Sequence, residues 1–360
     1  MTRNRRMIRR FFCLVPSKEW KIEIGSFQFK KGVTRVKKLI GEASELVSQM
    51  VEGMVHAHPE VYGRVDGVNV ICRADGAKSG KVGLVSGGGS GHEPAHAGYV
   101  GDGMLDAAVC GEVFTSPTPD MVLEGIKAAD GGNGVLLIVK NYSGDVMNFE
   151  LAAELAEGDG IKVDHVVVAD DVAISNKEDR RGVAGTVFVH KIAGAAAASG
   201  KSLEEVKSIA EKVASHVRSM GMAVEPCYMP VSGKPGFDLN EEEMEIGIGI
   251  HGERGVERKP TSDVDQIVDD LLSHLKKEVE PGEVAVMVNG MGGTPLSELY
   301  VTYHFVAEKL EAAGYTLKRK YVGNYMTSLE MHGFSITLLP LDDEMTMYLD
   351  APSAALGFKI

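Results

Sequence analysis

The sequence predicts an α/β protein of two domains, each a mostly parallel or mixed sheet flanked by helices. Three observations carry this. From Val36 onward, short apolar runs alternate with stretches whose apolar residues recur every three or four positions, the pattern of strands alternating with amphipathic helices. Several of those runs end in glycine followed by a polar residue, as where Val85 leads into Ser86 and Gly87. Residues 222–239 concentrate Gly, Pro and polar residues and mark a junction, so the expected domains are 36–222 and 223–360.

The first helix is predicted over 39–55 by Leu39, Ile40, Ala43, Leu46, Val47, Met50, Val51, Met54 and Val55. It stops before Pro59, because the residue preceding a proline avoids the α region. Strands are predicted at 68–72, 82–85, 135–139, 165–169, 245–250, 284–288 and 335–339, with helices near 119–129, 147–157, 187–199, 202–219, 262–278 and 296–313. Ser202 with Glu205 forms a capping box, Ser262 with Asp265 is its weaker relative, and Pro295 suits a helical first turn. This order favours largely parallel strands.

Composition narrows the function classes. With 44% hydrophobic and 25% charged residues the chain is an ordinary globular protein, and no apolar stretch approaches the ~18 residues of a membrane span. Phe11 to Val15 is too short and too arginine-flanked for a secretory signal, so the expected location is the cytoplasm. Cys13, Cys72, Cys110 and Cys227 show neither disulfide nor metal-ligand spacing. Of the 38 Lys+Arg residues, 12 lie in the first 38 positions beside only Glu19 and Glu23. The remaining body is strongly acidic and repels nucleic acid and anionic membrane, neither of which is an expected partner. The basic start reads either as a nucleic-acid or membrane arm or as translated leader. Lys30-Lys31-Gly32-Val33 is encodable by a purine-rich ribosome-binding sequence upstream of a start at Val36, and 1–35 is set aside as leader.

Three segments share one grammar, an apolar strand, then glycine, then a polar residue able to do chemistry. Val82 to Val85 leads into Ser86-Gly87-Gly88-Gly89-Ser90-Gly91-His92-Glu93-Pro94. Val135 to Val139 leads into Lys140-Asn141-Tyr142-Ser143-Gly144-Asp145, and Glu245 to Ile250 into His251-Gly252-Glu253. Ligands of open α/β sheets bind beyond the carboxyl ends of strands, so these tips are expected to converge and gather His92, Lys140, Asp145 and His251.

The glycines do not make a nucleotide cradle. Neither the lysine and hydroxyl of a P-loop nor the third glycine of a dinucleotide loop is in place, although bare backbone N–H groups remain open to a ligand oxygen. His92-Glu93-Pro94-Ala95-His96 matches the letters of a zinc motif, but Pro94 pushes Glu93 out of the α region and no third ligand suggests itself, so no metal is expected. For His251 the bland alternative is a hydrogen-bonded core histidine, and for Asp145 a helix N-cap. His96 and Glu93 read as residues that orient the loop.

Long motifs in order, "SGGGSGHEPAHAGYVGDGML" (86–105), "GEVFTSPTPD" (111–120), "GVLLIVKNYSGD" (134–145), "RRGVAGT" (180–186), "EIGIGIHGERG" (245–255), "NGMGGTPLSELY" (289–300) and "TSLEMHGFSITLL" (327–339), resemble the K subunit of dihydroxyacetone kinase, the substrate-binding subunit of the phosphotransferase-system-dependent type. The resemblance covers about Val36 to Ile360. It implies that a ring nitrogen of His251 adds to the ketone of dihydroxyacetone as a hemiaminal, which suits a small polyol with little apolar surface to bury. It implies that Gly89, Ser90 and Gly91 bring backbone N–H groups to the substrate, that Ser116 and Lys140 hydrogen-bond its hydroxyls, and that His92 and Asp145 act as acid and base around the hydroxyl that attacks phosphorus.

The same resemblance places no cofactor on this chain. Magnesium-bound ADP or ATP is expected on a separate L subunit, recharged by an M subunit of the phosphotransferase system, and this chain is expected to be a homodimer and a transferase active only with those partners. One departure bears on the substrate. Residues 172–179, "VAISNKED", are shorter than the usual family segment, which leaves a larger ketose such as a tetrulose open. A ketose-sensing transcriptional coactivator and a His-Glu-x-x-His hydrolase are the competing readings.

Overall fold

The computed structural model describes residues 37–359, and the expectations for 1–35 and Cys13 lie outside them. Six strands, β1 (Tyr62–Arg64), β2 (Val70–Arg73), β3 (Gly83–Ser90), β4 (Ala107–Val113), β5 (Val135–Lys140) and β6 (Val163–Val168), form one sheet in the order β1-β2-β4-β3-β5-β6. Its four strands β4, β3, β5 and β6 are parallel, and β2 and β1 add antiparallel. Five helices accompany it, α1 (Leu46–Ala57), α2 (Pro119–Ala129), α3 (Ser143–Gly158), α4 (Thr186–Ala198) and α5 (Leu203–His216).

A second sheet contains β7 (Arg218–Glu225), β8 (Glu243–Ile246), β9 (Glu257–Pro260), β10 (Glu283–Gly290), β11 (Thr316–Gly323) and β12 (His332–Pro340), ordered β11-β10-β12-β7-β8-β9. Only β10 and β11 run parallel; every other pairing is antiparallel, so this sheet is mixed and the expectation of largely parallel strands fits the first sheet alone. With it go α6 (Val264–Leu275), α7 (Leu296–Ala312) and α8 (Asp343–Asp350), and a short closing hairpin of β13 (Ala354–Ala355) and β14 (Phe358–Lys359). The junction expected between 222 and 223 falls inside β7, which already opens the second sheet at Arg218.

The layers follow from period-two burial in runs that are apolar throughout. In β5, Leu136 and Ile138 join the core shared with α1, α4 and α5, while Val135, Leu137 and Val139 face the core with α2 and α3. In β10, Ala285 and Met287 also join the α4–α5 core, whereas Val284, Val286 and Val288 pack on α6 and α7. The order of layers is therefore α2/α3, first sheet, α4/α5, second sheet, α6/α7. Each fully buried aliphatic side chain contributes about 1.5–3 kcal/mol.

Several element ends differ from expectation. Leu39 is fully exposed and the first helix begins at Leu46 after a 3₁₀ turn at Ala43–Glu45, because Gly41 weakens the helix and Leu39 has nothing to bury against. The capping box of Ser202 and Glu205 is present, but α6 is capped by Asp263, whose carboxylate accepts from the Gln266 amide, and not by Ser262. Asp145 is no N-cap: it occupies the first turn of α3 without a capping hydrogen bond. The predicted strand 245–250 stops at Ile246, where Gly247 turns with φ +70. That turn leaves residues 247–254 free to carry His251 out of the sheet.

Candidate active site

The glycine run is strand before it is loop. Gly87, Gly88 and Gly89 belong to β3 and are wholly buried, paired with β4 but lying beyond Ser86, where the ladder with β5 ends. Side chains do not fit there: a Cβ on Gly87 would lie 2.5 Å from the Val109 carbonyl oxygen, and one on Gly89 2.5 Å from the Thr115 amide nitrogen. Gly88, at φ +144, faces the ligand side, where a Cβ would sit 3.1 Å from Lys140 Nζ and 3.3 Å from Asp145 Oδ2. The space that glycine leaves is thus bounded by an ammonium and a carboxylate.

Those two charges meet through topology. Lys140 ends β5, beside β3, and Asp145 follows five residues later in the first turn of α3. Both are buried, yet Lys140 Nζ and Asp145 Oδ1 have no hydrogen-bond partner. Burial lowers the lysine against the pull of Asp145 and Glu253, and raises the Asp145 carboxyl against the pull of Lys140. A buried ammonium without a partner and a buried carboxylate with one open oxygen, flanking a gap, are the signature of a polar ligand that satisfies both.

His92 follows the glycine strand. Its Nδ1–H donates to the Thr327 carbonyl at 2.8 Å, which leaves Nε2 as a bare, buried acceptor without a partner. Burial, with Lys140 and His251 adding, holds the ring well below the ordinary histidine range and therefore neutral. The ring stacks on Phe114 at 5.2 Å and meets the edge of His251 at 4.7 Å.

His251 arrives from the second sheet. Its ring stands edge-on to Tyr142 at 4.3 Å and to Phe114 at 5.5 Å, and burial, with Lys140 and Arg181 adding, pushes it down to about 2. It is a neutral imidazole at any physiological pH, and so retains a nucleophilic nitrogen lone pair. Gly89, Phe114, Ser116, Tyr142, Asp145 and His251 line a common cleft of about 550 Å³. Four residues from three strand tips and both sheets, His92, Lys140, Asp145 and His251, thus share one locality.

Other predicted residues lie differently. Ser116 reaches the cleft, facing the first turn of α3 at Gly144. Ser90 directs its hydroxyl to the Gly111 carbonyl at 2.7 Å, so only its backbone remains for a ligand. Gly91, at φ +103, packs on the Phe114 ring, where a Cβ would come within 2.8 Å. The letters of the zinc motif scatter: His92 binds Thr327, Glu93 accepts from the Gly91 amide at 3.0 Å, and His96 Nδ1 lies 2.9 Å from His190 Nε2. No helix carries them; a 3₁₀ turn, Ala97–Tyr99, begins only after His96.

Sequence reasoning did not single out Phe114, Tyr142, Arg181 or Glu253. All four sit inside the long motifs, but their roles arise only where distant segments meet. Phe114 alone offers a local oddity, a positive φ of 55 in a non-glycine residue, and the sequence does not reveal it.

The described chain matches the Dak1 domain family over residues 52–357. It belongs to the Dak1 family. Over 315 residues this Dak1 chain is 56% identical to the protein named PTS-dependent dihydroxyacetone kinase 1, dihydroxyacetone-binding subunit DhaK, of Listeria innocua, covering 86% of this chain and 95% of that one. Among solved structures, the dihydroxyacetone kinase of C. freundii superposes with a TM-score of 0.84 at 36% identity, over 90% of the Dak1 chain and 60% of its own. The dihydroxyacetone kinase operon co-activator Dha-DhaQ superposes at 0.82 with 35% identity, over 88% and 98%.

Proposed function

We propose that this Dak1 chain is the substrate-binding subunit of a dihydroxyacetone kinase, holding the ketone on His251 and presenting a hydroxyl for phosphorylation by a donor on a partner. The observation that carries this is the cleft lined by the neutral His251 ring and by Asp145, with unpartnered Lys140 Nζ and His92 Nε2 buried behind it. A three-carbon dihydroxy ketone has a carbonyl carbon for the first and hydroxyl groups for the rest.

In the capture step a His251 ring nitrogen bonds to the carbonyl carbon and the π pair moves to oxygen. That oxygen gains a proton while the other ring nitrogen loses one, so the hemiaminal is neutral. His92 Nε2, bare and one ring away, is placed to relay the proton. Lys140 donates to a substrate hydroxyl and Asp145 takes the proton of the hydroxyl that attacks phosphorus, while Ser116 and the backbone of Gly89 and Ser90 complete the holding contacts; the Gly91 amide, already donated to Glu93, shapes the loop instead. Phosphoryl transfer depends chiefly on alignment and charge neutralisation. Magnesium and nucleotide belong, on this reading, to the L subunit, recharged by the M subunit, with this chain acting as a homodimer in the cytoplasm; no helix among the described residues is long and apolar enough to cross a membrane. The division of labour follows the two sheets, Gly-rich loop and acid–base pair from the first, covalent histidine from the second.

Turnover tests this directly: the chain, mixed with purified L and M subunits and a phosphotransferase supply, converts dihydroxyacetone to its phosphate, and does so with none when His251 is replaced. Tight ketone binding with no turnover in that mixture contradicts the kinase reading and favours the coactivator, which the 0.82 superposition on Dha-DhaQ keeps in view. Residues Glu178 and Asp179, at the end of the short 172–179 segment, line the cleft, so assays with a four-carbon ketose decide whether that wall admits a longer substrate.

A further inference from the structure

We propose that Arg181 is a positioning residue for His251, acting as a strap that binds both ends of the loop carrying it. The inference deepens the proposed function and rests on it for its consequence, but the strap itself is a property of the ligand-free chain.

His251 lies in a loop bounded by two positive-φ glycines, Gly247 at +70 and Gly252 at +71, after β8 has ended at Ile246. Such a loop has no ladder to hold it. Besides the Gly247 amide, which donates to the Gly221 carbonyl at 2.7 Å, and the buried Ile248 and Ile250, one guanidinium ties both ends: Arg181 Nη2 donates to the Gly247 carbonyl at 2.7 Å, four residues before the histidine, and Nη1 donates to Glu253 Oε1 at 3.2 Å, two residues after it. The other oxygen of that carboxylate accepts from the His251 backbone amide at 2.8 Å. Arg181 is itself fixed by Asp171, a buried carboxylate that accepts from Nε at 2.8 Å and lies 2.6 Å from Nη2 as an ion pair.

The loop is built around this pair. A Cβ on Gly249 would fall on Glu253 Oε1, so the carboxylate occupies the space that a side chain would take. Among the described residues Arg181 is the cation paired with Glu253. The planar fork reaches three acceptors at once, which a lysine does not do. Because Arg181 adjoins the 172–180 segment and Asp171 precedes it, the strap ties His251, on the second sheet, to the wall of the cleft formed from the first. The cationic guanidinium also opposes protonation of the nearby imidazole.

The test compares wild type with Arg181→Met, Arg181→Lys and Glu253→Gln, without ketone. Hydrogen exchange at the His251 amide and the ring-nitrogen NMR titration of His251 report on the loop; exchange of the β10 amides reports on the whole fold. The expected result for Arg181→Met is at least about ten-fold faster exchange at His251 and a titration midpoint moved up toward the ordinary histidine range, with β10 unchanged and Arg181→Lys intermediate. Should Arg181→Met not fold, Glu253→Gln, which breaks one end of the strap and keeps the Asp171 pair, carries the same expectation for the amide. Unchanged exchange and titration in the folded variants overturn the proposal. A wild type that forms no ketone adduct defeats the covalent reading and leaves the strap standing; an adduct in wild type that falls at least about ten-fold in Arg181→Met joins the two.

Discussion

The rings of His92 and His251 meet edge to face at 4.7 Å, one carried by the glycine strand of the first sheet and the other by a loop of the second. Neither ring is charged, since burial depresses both. A neutral nucleophile and a bare neutral acceptor side by side are what ketone addition requires, and their partners are the charges the chain leaves buried and unmatched.

Asp145→Asn removes the group placed to accept the hydroxyl proton while keeping its shape. Turnover with partner subunits is expected to fall by about 10²–10⁴, with dihydroxyacetone affinity changed by less than about ten-fold. Calorimetric binding beside steady-state rates checks it; a proportional loss in both would move Asp145 from proton transfer to holding.

Lys140 is a buried ammonium without a hydrogen-bond partner, so it is kept at the expense of stability. Lys140→Met is expected to raise the stability of the ligand-free chain by about 1 kcal/mol while weakening ketone binding at least about ten-fold. Denaturant melts with and without dihydroxyacetone separate the two effects.

Binding and turnover are expected to part company in acid. His251, held near 2, does not protonate between about pH 7.5 and pH 5, so ketone capture changes by less than about three-fold where a free imidazole would lose its lone pair. Turnover falls sooner, because burial raises the Asp145 carboxyl and the base is lost as pH drops through that raised value. Parallel pH profiles of affinity and rate check the separation.

Gly88→Ala places a methyl between Lys140 Nζ and Asp145 Oδ2 and strains a backbone at φ +144. The variant is expected to lose about 1 kcal/mol of stability and nearly all ketone binding. Ser202→Ala, by contrast, breaks an exposed capping box far from this chemistry and is expected to lose about 1 kcal/mol with activity intact.

Much of the fold is legible in the residues. α2 and α7 declare themselves by three-and-four periodicity, α4 by a long apolar run buried on every face, and β5 and β10 by continuous apolar runs that suit a strand buried on both faces. β4 is hidden because Ala107, Ala108 and Gly111 are small where neighbouring backbone approaches closely, which reads as poor strand propensity. β11 is hidden because an edge strand carrying Lys318, Arg319 and Lys320 lacks an apolar run. In the site, His92, Asp145 and His251 stand out because each follows a strand and a glycine, and Lys140 because it closes an apolar strand. Phe114, Tyr142, Arg181 and Glu253 do not, since each meets the His251 loop or its strap across segments distant in sequence.

Covalent capture is a bond between His251 and the ketone carbon, and 13C NMR of dihydroxyacetone labelled at that carbon detects it. The bound label is expected to leave the carbonyl region for that of a tetrahedral carbon bearing oxygen and nitrogen, and His251→Asn to abolish this signal. A label that binds at full occupancy yet stays in the carbonyl region would contradict covalent capture.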